Sequence, residues 1–199
     1  MQFPVNLNLA GRKVLVVGAG RIALRKVGQL LPCGADITVI APAVVAEFDD
    51  LPVTVERREW RDGDAEGFRL VITATGNVEV DQRIHDECER LGIWVNSADD
   101  PDRCTFTLPA VVRRGALMVT SSTAGASPAL SSWVRATLDS LLDEELADVV
   151  SDLSLERARI HAEGRSTEDV DWRPIIEDVL RARGVRFGRD MASTGAVAP

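Results

Sequence analysis

Two stretches of this sequence hold residues whose types and spacing suit chemistry. The first is Gly18-Ala19-Gly20-Arg21-Ile22-Ala23, a G-x-G-x-x-A run set between a β-branched apolar segment and one of helical apolar spacing. In that setting Gly18 permits a tight turn, Gly20 leaves room for a diphosphate against the backbone, and Ala23 lets the helix lie close to the strand. The first amides of the helix and its dipole then face the anion. The turn therefore reads as a dinucleotide site, with a merely structural glycine turn as the alternative. One customary part is missing. A carboxylate usually stands ~20 residues further on, at the end of the second strand, to bind the adenosine ribose. Here that place is Ile40-Ala41-Pro42, so the ribose is expected against backbone groups around Pro42 and Ala43. No arginine lies between Arg25 and Arg57, which removes the usual partner of a 2′-phosphate and favours NAD over NADP.

The second stretch is Asn96-Ser97-Ala98-Asp99-Asp100. It follows a predicted strand, and the carboxyl ends of parallel strands line the ligand crevice. A carboxylate there could take a proton while hydride leaves in the other direction. Asp99 and Asp100 suit turn and capping duty before Pro101 equally well. The bare sequence leaves the two readings level.

The elements that must position these residues alternate over the first hundred positions. Residues 14–17, 36–40, 53–56, 70–74 and 93–96 read as short strands, the second closed by Pro42. Residues 22–31 and 80–91 carry apolar side chains at helical spacing, the first stopped by Pro32 and Gly34. Strands separated by helix-length connectors predict βαβ units and a Rossmann-type parallel sheet. Beyond Asp100 the rhythm changes. Residues 117–121 read as a strand, Ser127 as the N-cap of a helix over 129–142, and residues 144–162 and 171–183 as two more helices. The expected division is an α/β NAD-binding domain over 1–112, a small segment over 113–142 whose strand has no partner in the first sheet and so suggests dimerisation across a twofold axis, and a helical domain over 143–199. The small, uncharged tail 191–199 is expected to fray.

Composition narrows the partners. Among 199 residues, 31 acidic against 23 basic side chains give a net charge of −8, which argues against sequence-independent contact with nucleic acid or an anionic membrane. Cys33, Cys88 and Cys104 are scattered, without a C-x-x-C pair, and neither a leader nor a spanning run is evident. A cytoplasmic protein is expected. His85 and His161 are the two histidines and form no metal-ligand spacing, so no metal site is expected. Trp60, Trp94, Trp133 and Trp172 read as core before they read as platforms for a planar ring.

A longer ordered set points to a family. Gly18-x-Gly20-x-x-Ala23 with Arg25-Lys26, Ala74-Thr75-Gly76-Asn77, Asn96-Ser-Ala-Asp99, Phe106-Thr-Leu-Pro109-Ala110, Arg113-Arg114-Gly115 and Ser121-Ser-Thr123-Ala-Gly125-Ala-Ser127-Pro128 closely resembles the precorrin-2 dehydrogenase family, the first module of siroheme synthases. The resemblance runs from the N-terminus to about Leu142 and is weak in the helical third. It departs at Ser122-Thr123-Ala124-Gly125, where Ala124 fills a small-residue position.

The resemblance implies NAD-dependent oxidation of precorrin-2 to sirohydrochlorin on a homodimer. It assigns catalysis to Asp99 rather than Asp100. Cofactor contacts are then expected from Gly18, Gly20, Arg21, Ile22, Pro42, Ala43, Thr75 and Gly76. The tetrapyrrole's carboxylate arms need a local basic cluster, with Arg113 and Arg114 first, Arg103 and Arg135 next, and Ser122 and Thr123 beside them. Some members of the family also insert ferrous iron, which here would rest on Asp99 doubling as base and stays open. Fused members carry a methyltransferase module, which these 199 residues are expected to leave to another protein. The competing class is an NAD(H)-sensing regulatory module, which needs neither the carboxylate nor the arginine pair.

Overall fold

The computed structural model describes residues 2–98 and 100–185. Its first compact unit runs to Leu108 and is built on a parallel sheet ordered β3-β2-β1-β4-β5. These strands are β1 (Lys13–Ala19), β2 (Asp36–Val44), β3 (Thr54–Glu56), β4 (Leu70–Thr73) and β5 (Trp94–Ser97). All residues of β1 after Lys13 are buried, as a central strand covered on both faces requires. Strand alternation divides them. Val14 and Val16 join Ile37, Val39 and Ile72 under helix α1 (Arg21–Leu30), which contributes Ala23, Val27 and Leu30. Leu15 and Val17 join Val71, Val95 and Trp60 under helix α2 (Val78–Leu91), which contributes Ile84 and Cys88. The result is an α/β unit of three layers, as the apolar pattern predicts.

β2 does not end at Pro42 as expected. Val17 pairs with Ile40 but Ala19 pairs with Val44, so residues 41–43 of β2 have no partners on β1. The amide that proline lacks is not needed in that bulge, and the strand passes through it.

The second unit begins at Pro109. Strand β6 (Ala110–Arg114), absent from the sequence reading, pairs antiparallel with β7 (Leu117–Ser121). β7, which reads as a strand without a partner in the first sheet, has this one within the chain. Because β6 begins at Ala110, the boundary falls before the expected one at 112. Helices α3 (Pro128–Leu141), α4 (Leu146–Ala162) and α5 (Trp172–Ala182) follow. Ser127 caps α3 as expected, accepting from Leu130 N at 3.3 Å. Val112 of β6, Leu142, and Leu146 and Val149 of α4 fall in one core cluster, with Val179 and Leu180 of α5 packed on it. Residues 113–142 and the helices beyond them thus share a core instead of forming separate bodies. The expectation about the tail 191–199 lies outside the described residues.

Candidate functional site

Gly18 has φ +104°, and a Cβ placed on it would stand 2.3 Å from the Ala74 carbonyl oxygen. Only glycine lets the end of β1 lie so close to the turn after β4. Gly20 differs: it is extended at φ −88°, ψ −171°, and a Cβ there would meet nothing within 4 Å. Its missing side chain leaves space at the N-terminus of α1. No side chain caps that terminus, and its first turn holds no acidic residue. The orphan amides and the positive end of the helix are therefore open to an anion.

The other expected cofactor residues gather around this opening. Arg21 and Ile22 are exposed on the first turn of α1. Pro42 and Ala43 are exposed in the β2 bulge, which Val45 N ties to Ala19 O at 3.1 Å. Thr75 and Gly76 lie in the turn after β4. The Thr75 hydroxyl is engaged there, 2.8 Å from Asp81 Oδ1 and accepting from Asn77 N at 3.0 Å, so that residue offers a ligand its backbone alone. β1 and β4 are the strands between which the order of the sheet reverses, the place where open α/β sheets hold ligands.

The sequence reading missed the counterpart of this opening. Asn77 Oδ1 accepts from Glu79 N at 3.0 Å and Val80 N at 3.2 Å, starting α2 earlier than expected and filling its N-terminus. An Asn three positions before an apolar residue, followed by acids, was the available signal.

In the second stretch, Ala98 N donates to Thr73 O at 2.8 Å, placing this loop at the carboxyl end of β4. Asp99 lies outside the described residues. Asp100 takes the capping role, accepting from Asp102 N at 3.1 Å and pairing with Arg103. Arg103 also donates to Gln82 Oε1 at 2.8 Å, so it is held among protein groups.

Apart from Arg103, the expected substrate residues lie in the second unit, and the arginine pair divides. Arg113 is exposed, whereas Arg114 is buried. Arg114 Nε donates to Leu142 O at 2.9 Å and Nη2 to Asp139 O at 2.8 Å, with Asp139 and Glu144 carboxylates beside it. Its guanidinium satisfies carbonyls at the end of α3, which corrects the expectation that it faces substrate. Arg135 pairs loosely with Asp139 at 3.8 Å. Ser122 Oγ accepts from Ala124 N at 3.2 Å and Thr123 Oγ1 from Ser127 N at 2.9 Å, so both hydroxyls shape the turn into α3. Ala124 takes φ +53°, a conformation that favours glycine.

Trp60 is core, beneath the Arg83 guanidinium at 5.1 Å, whereas Trp94 and Trp133 are exposed. Among the described residues, no three His, Cys, Asp or Glu side chains cluster to hold a metal ion, and no helix is long and apolar enough to cross a membrane.

The sequence and the fold are also similar to those of known proteins. A family described as putative NAD(P)-binding matches residues 5–110. The chain is 38% identical over 146 residues to siroheme synthase 2 of Halorhodospira halophila, covering 70% of this chain and 30% of that one. It is 30% identical over 204 residues to the siroheme synthase of Nitrosococcus oceani, covering 99% of this chain and 43% of that one. The chain thus spans less than half the length of these curated relatives. A solved structure titled SirC, precorrin-2 dehydrogenase, superposes with a TM-score of 0.70 at 28% identity, covering 92% of this chain and 99% of that one.

Proposed function

The chain belongs to the precorrin-2 dehydrogenase family, and we propose that it oxidises precorrin-2 to sirohydrochlorin with NAD in siroheme biosynthesis. The observation that carries this reading is the open N-terminus of α1. A helix start with a space-leaving glycine, no capping side chain and no acid, at the reversal point of a parallel sheet, suits a dinucleotide diphosphate.

In this reading the amides after Gly20 hold the diphosphate, the exposed Arg21 adds positive charge at its edge, and backbone groups of Pro42 and Ala43 meet the ribose. The backbone of Thr75 and Gly76 lines the turn opposite. Precorrin-2 loses two hydrogens, one as a hydride to NAD and one as a proton to the Asp99 carboxylate. The support for Asp99 is its place in the sequence, directly after Ala98, whose amide is fixed to the end of β4. The substrate carries acetate and propionate arms, and Arg113 is our candidate for them, with Ser122 and Thr123 contributing from the neighbouring turn. Arg114 is withdrawn from that role because its donors hold the end of α3.

We further propose a homodimer formed through the second unit. Its two-stranded sheet leaves its outer edges unpaired among the described residues, and Leu130 and Trp133 of α3 stand 49% and 66% exposed. Cys33, Cys88 and Cys104 form no disulfide among the described residues, which accords with work in the cytoplasm.

The test mixes the protein with enzymatically made precorrin-2 and NAD and follows absorbance for the sirohydrochlorin spectrum. Turnover that Asp99→Asn abolishes supports the full reading. Wild-type turnover by Asp99→Asn overturns the base, and NAD binding without any turnover replaces the enzyme with an NAD(H)-sensing module. Repeating the assay with ferrous iron reads whether the product is metallated.

A further inference from the structure

The amino ends of β4 and β5 border a cavity of about 750 Å³, at the opposite end of these strands from the opening at α1. Every residue that lines it belongs to the first unit. Leu70 and Trp94, register partners that begin the two strands, form part of its wall. The segment leading into β1 adds Leu7 and Leu9, and the turn before β4 adds Phe68. Trp94 stands 44% exposed on this wall instead of lying in the core, so its indole offers a flat apolar face to whatever enters.

Two arginines, Arg12 and Arg69, share the cavity. Both are exposed, and with other described residues neither makes an ion pair or a side-chain hydrogen bond. Elsewhere in this unit arginines with a carboxylate in reach take it, as Arg57, Arg58, Arg83 and Arg103 do with Asp49, Asp64, Asp62 and Asp100. The backbone beneath the cavity's arginines is fixed to the sheet. Arg69 N donates to Lys13 O at 3.0 Å, and Arg12 O accepts from Asp36 N at 2.9 Å. Glu66 is the one carboxylate among the lining residues, which leaves the cavity net cationic in a chain of net charge −8.

We propose that this cavity binds a planar ring bearing carboxylates, stacked on Trp94 with its carboxylates held by Arg12 and Arg69, as a site separate from the cofactor opening. Its volume falls in the range of about 300–1,000 Å³ that takes small-molecule ligands, and such sites pair an apolar lining with a few convergent polar groups. A guanidinium fork matches a carboxylate, and an indole matches a flat ring. Reacting ligands of open α/β sheets sit at the carboxyl ends of the strands, so this cavity lies outside the hydride transfer. Two sources share the ligand chemistry: the carboxylate-armed tetrapyrroles of the proposed reaction, and single-ring aromatic carboxylates.

The experiment titrates the whole chain, without NAD, with uroporphyrin III and with terephthalate, and follows heat and stoichiometry. Uroporphyrin III is a planar tetrapyrrole with acetate and propionate arms that is already fully conjugated, so it reports binding alone. Arg12→Gln combined with Arg69→Gln is expected to weaken binding at this site about tenfold or more. Trp94→Ala weakens it about fivefold, and Trp94→Phe recovers most of that loss. NAD affinity and Tm stay at wild-type values in all of them. Uroporphyrin can also enter the substrate site, so the cavity variants are expected to bind one molecule fewer than the wild type at the same concentration. Cavity binding of uroporphyrin assigns the site to tetrapyrroles, and binding of terephthalate alone assigns it to single rings; either supports the proposal. No binding of either compound, or the same affinity and stoichiometry in wild type and variants, overturns it. Loss of NAD binding in the folded arginine variant overturns it as well, because the two sites would then be one. The titration needs neither NAD nor turnover, so a failed precorrin-2 assay bears on the proposed activity alone.

Discussion

α1 and α2 both start at the carboxyl ends of neighbouring parallel strands, yet their first turns are finished in opposite ways. α2 is closed by its own sequence: Asn77 accepts from two first-turn amides, Glu79 and Asp81 bring negative charge to the positive end, and Thr75 holds the buried Asp81. α1 has none of these. Its cap is a glycine, its first turn lacks acid, and the nearest side chains are the exposed Arg21 and Ile22. A stable helix start satisfies its orphan amides, so the one left open beside one carefully filled has room and donors for an external anion. The comparison also separates the two glycines of the turn: Gly18 is required by the fold, whereas Gly20 leaves space that an anion can enter.

That separation can be broken by substitution. The largest effect is expected from Gly18→Ala, which drives a Cβ to within 2.3 Å of the Ala74 carbonyl at a positive φ. It should destabilise the first unit by about 3 kcal/mol or more and remove NAD binding with it, as thermal melts and titration would report. Thr75→Val leaves the buried Asp81 carboxylate without its hydroxyl donor. We expect a loss of about 2 kcal/mol in denaturant melts, with NAD affinity retained because the threonine serves α2. Asn77→Ala should cost about 1 kcal/mol, lowering Tm by about 3 °C, again without weakening NAD.

The smallest effect lies away from both helix starts. Burial alone would raise the Asp64 carboxyl, but the Arg58 guanidinium at 2.6 Å and the Arg61 amide at 2.7 Å outweigh it and hold it below the ordinary carboxylate range. A folded pKa below the unfolded one, near ~3.9, stabilises above that value and loses its contribution as pH falls through the folded pKa. Asp64→Asn should therefore lessen the fall in Tm below pH ~4 and leave the NAD titration at neutral pH unchanged.

How much of this was legible in the sequence follows from which interactions are local. The β1–α1 unit was legible because a β-branched run, two glycines and a 3.6-residue apolar repeat are all written within the segment that folds. The passage of β2 through Pro42 was not, because it depends on a register shift against β1. β6 escaped notice because a five-residue strand ending in two arginines reads as a solvated turn, and Arg114 is buried only by carbonyls from the end of α3. Asn77 is half legible: its type and spacing are present, but the apolar repeat points to a start at Val80, after the helix has begun at Val78. The hydrogen bonds by which Asn96 and Cys104 close the loop after β5 join residues up to ten apart in sequence and have no periodicity to reveal them.

The claim that α1 is held open for a dinucleotide is tested most directly by calorimetric titration of NAD into the wild type and Gly20→Asp, with the melting temperature of each. The extended backbone of residue 20 and the space around it admit an aspartate, which would cap α1 as Asn77 caps α2. If α1 is held open in this way, Gly20→Asp melts at or slightly above the wild-type temperature and gives no heat with NAD at concentrations that saturate the wild type. Equal NAD affinity in the two proteins would contradict it.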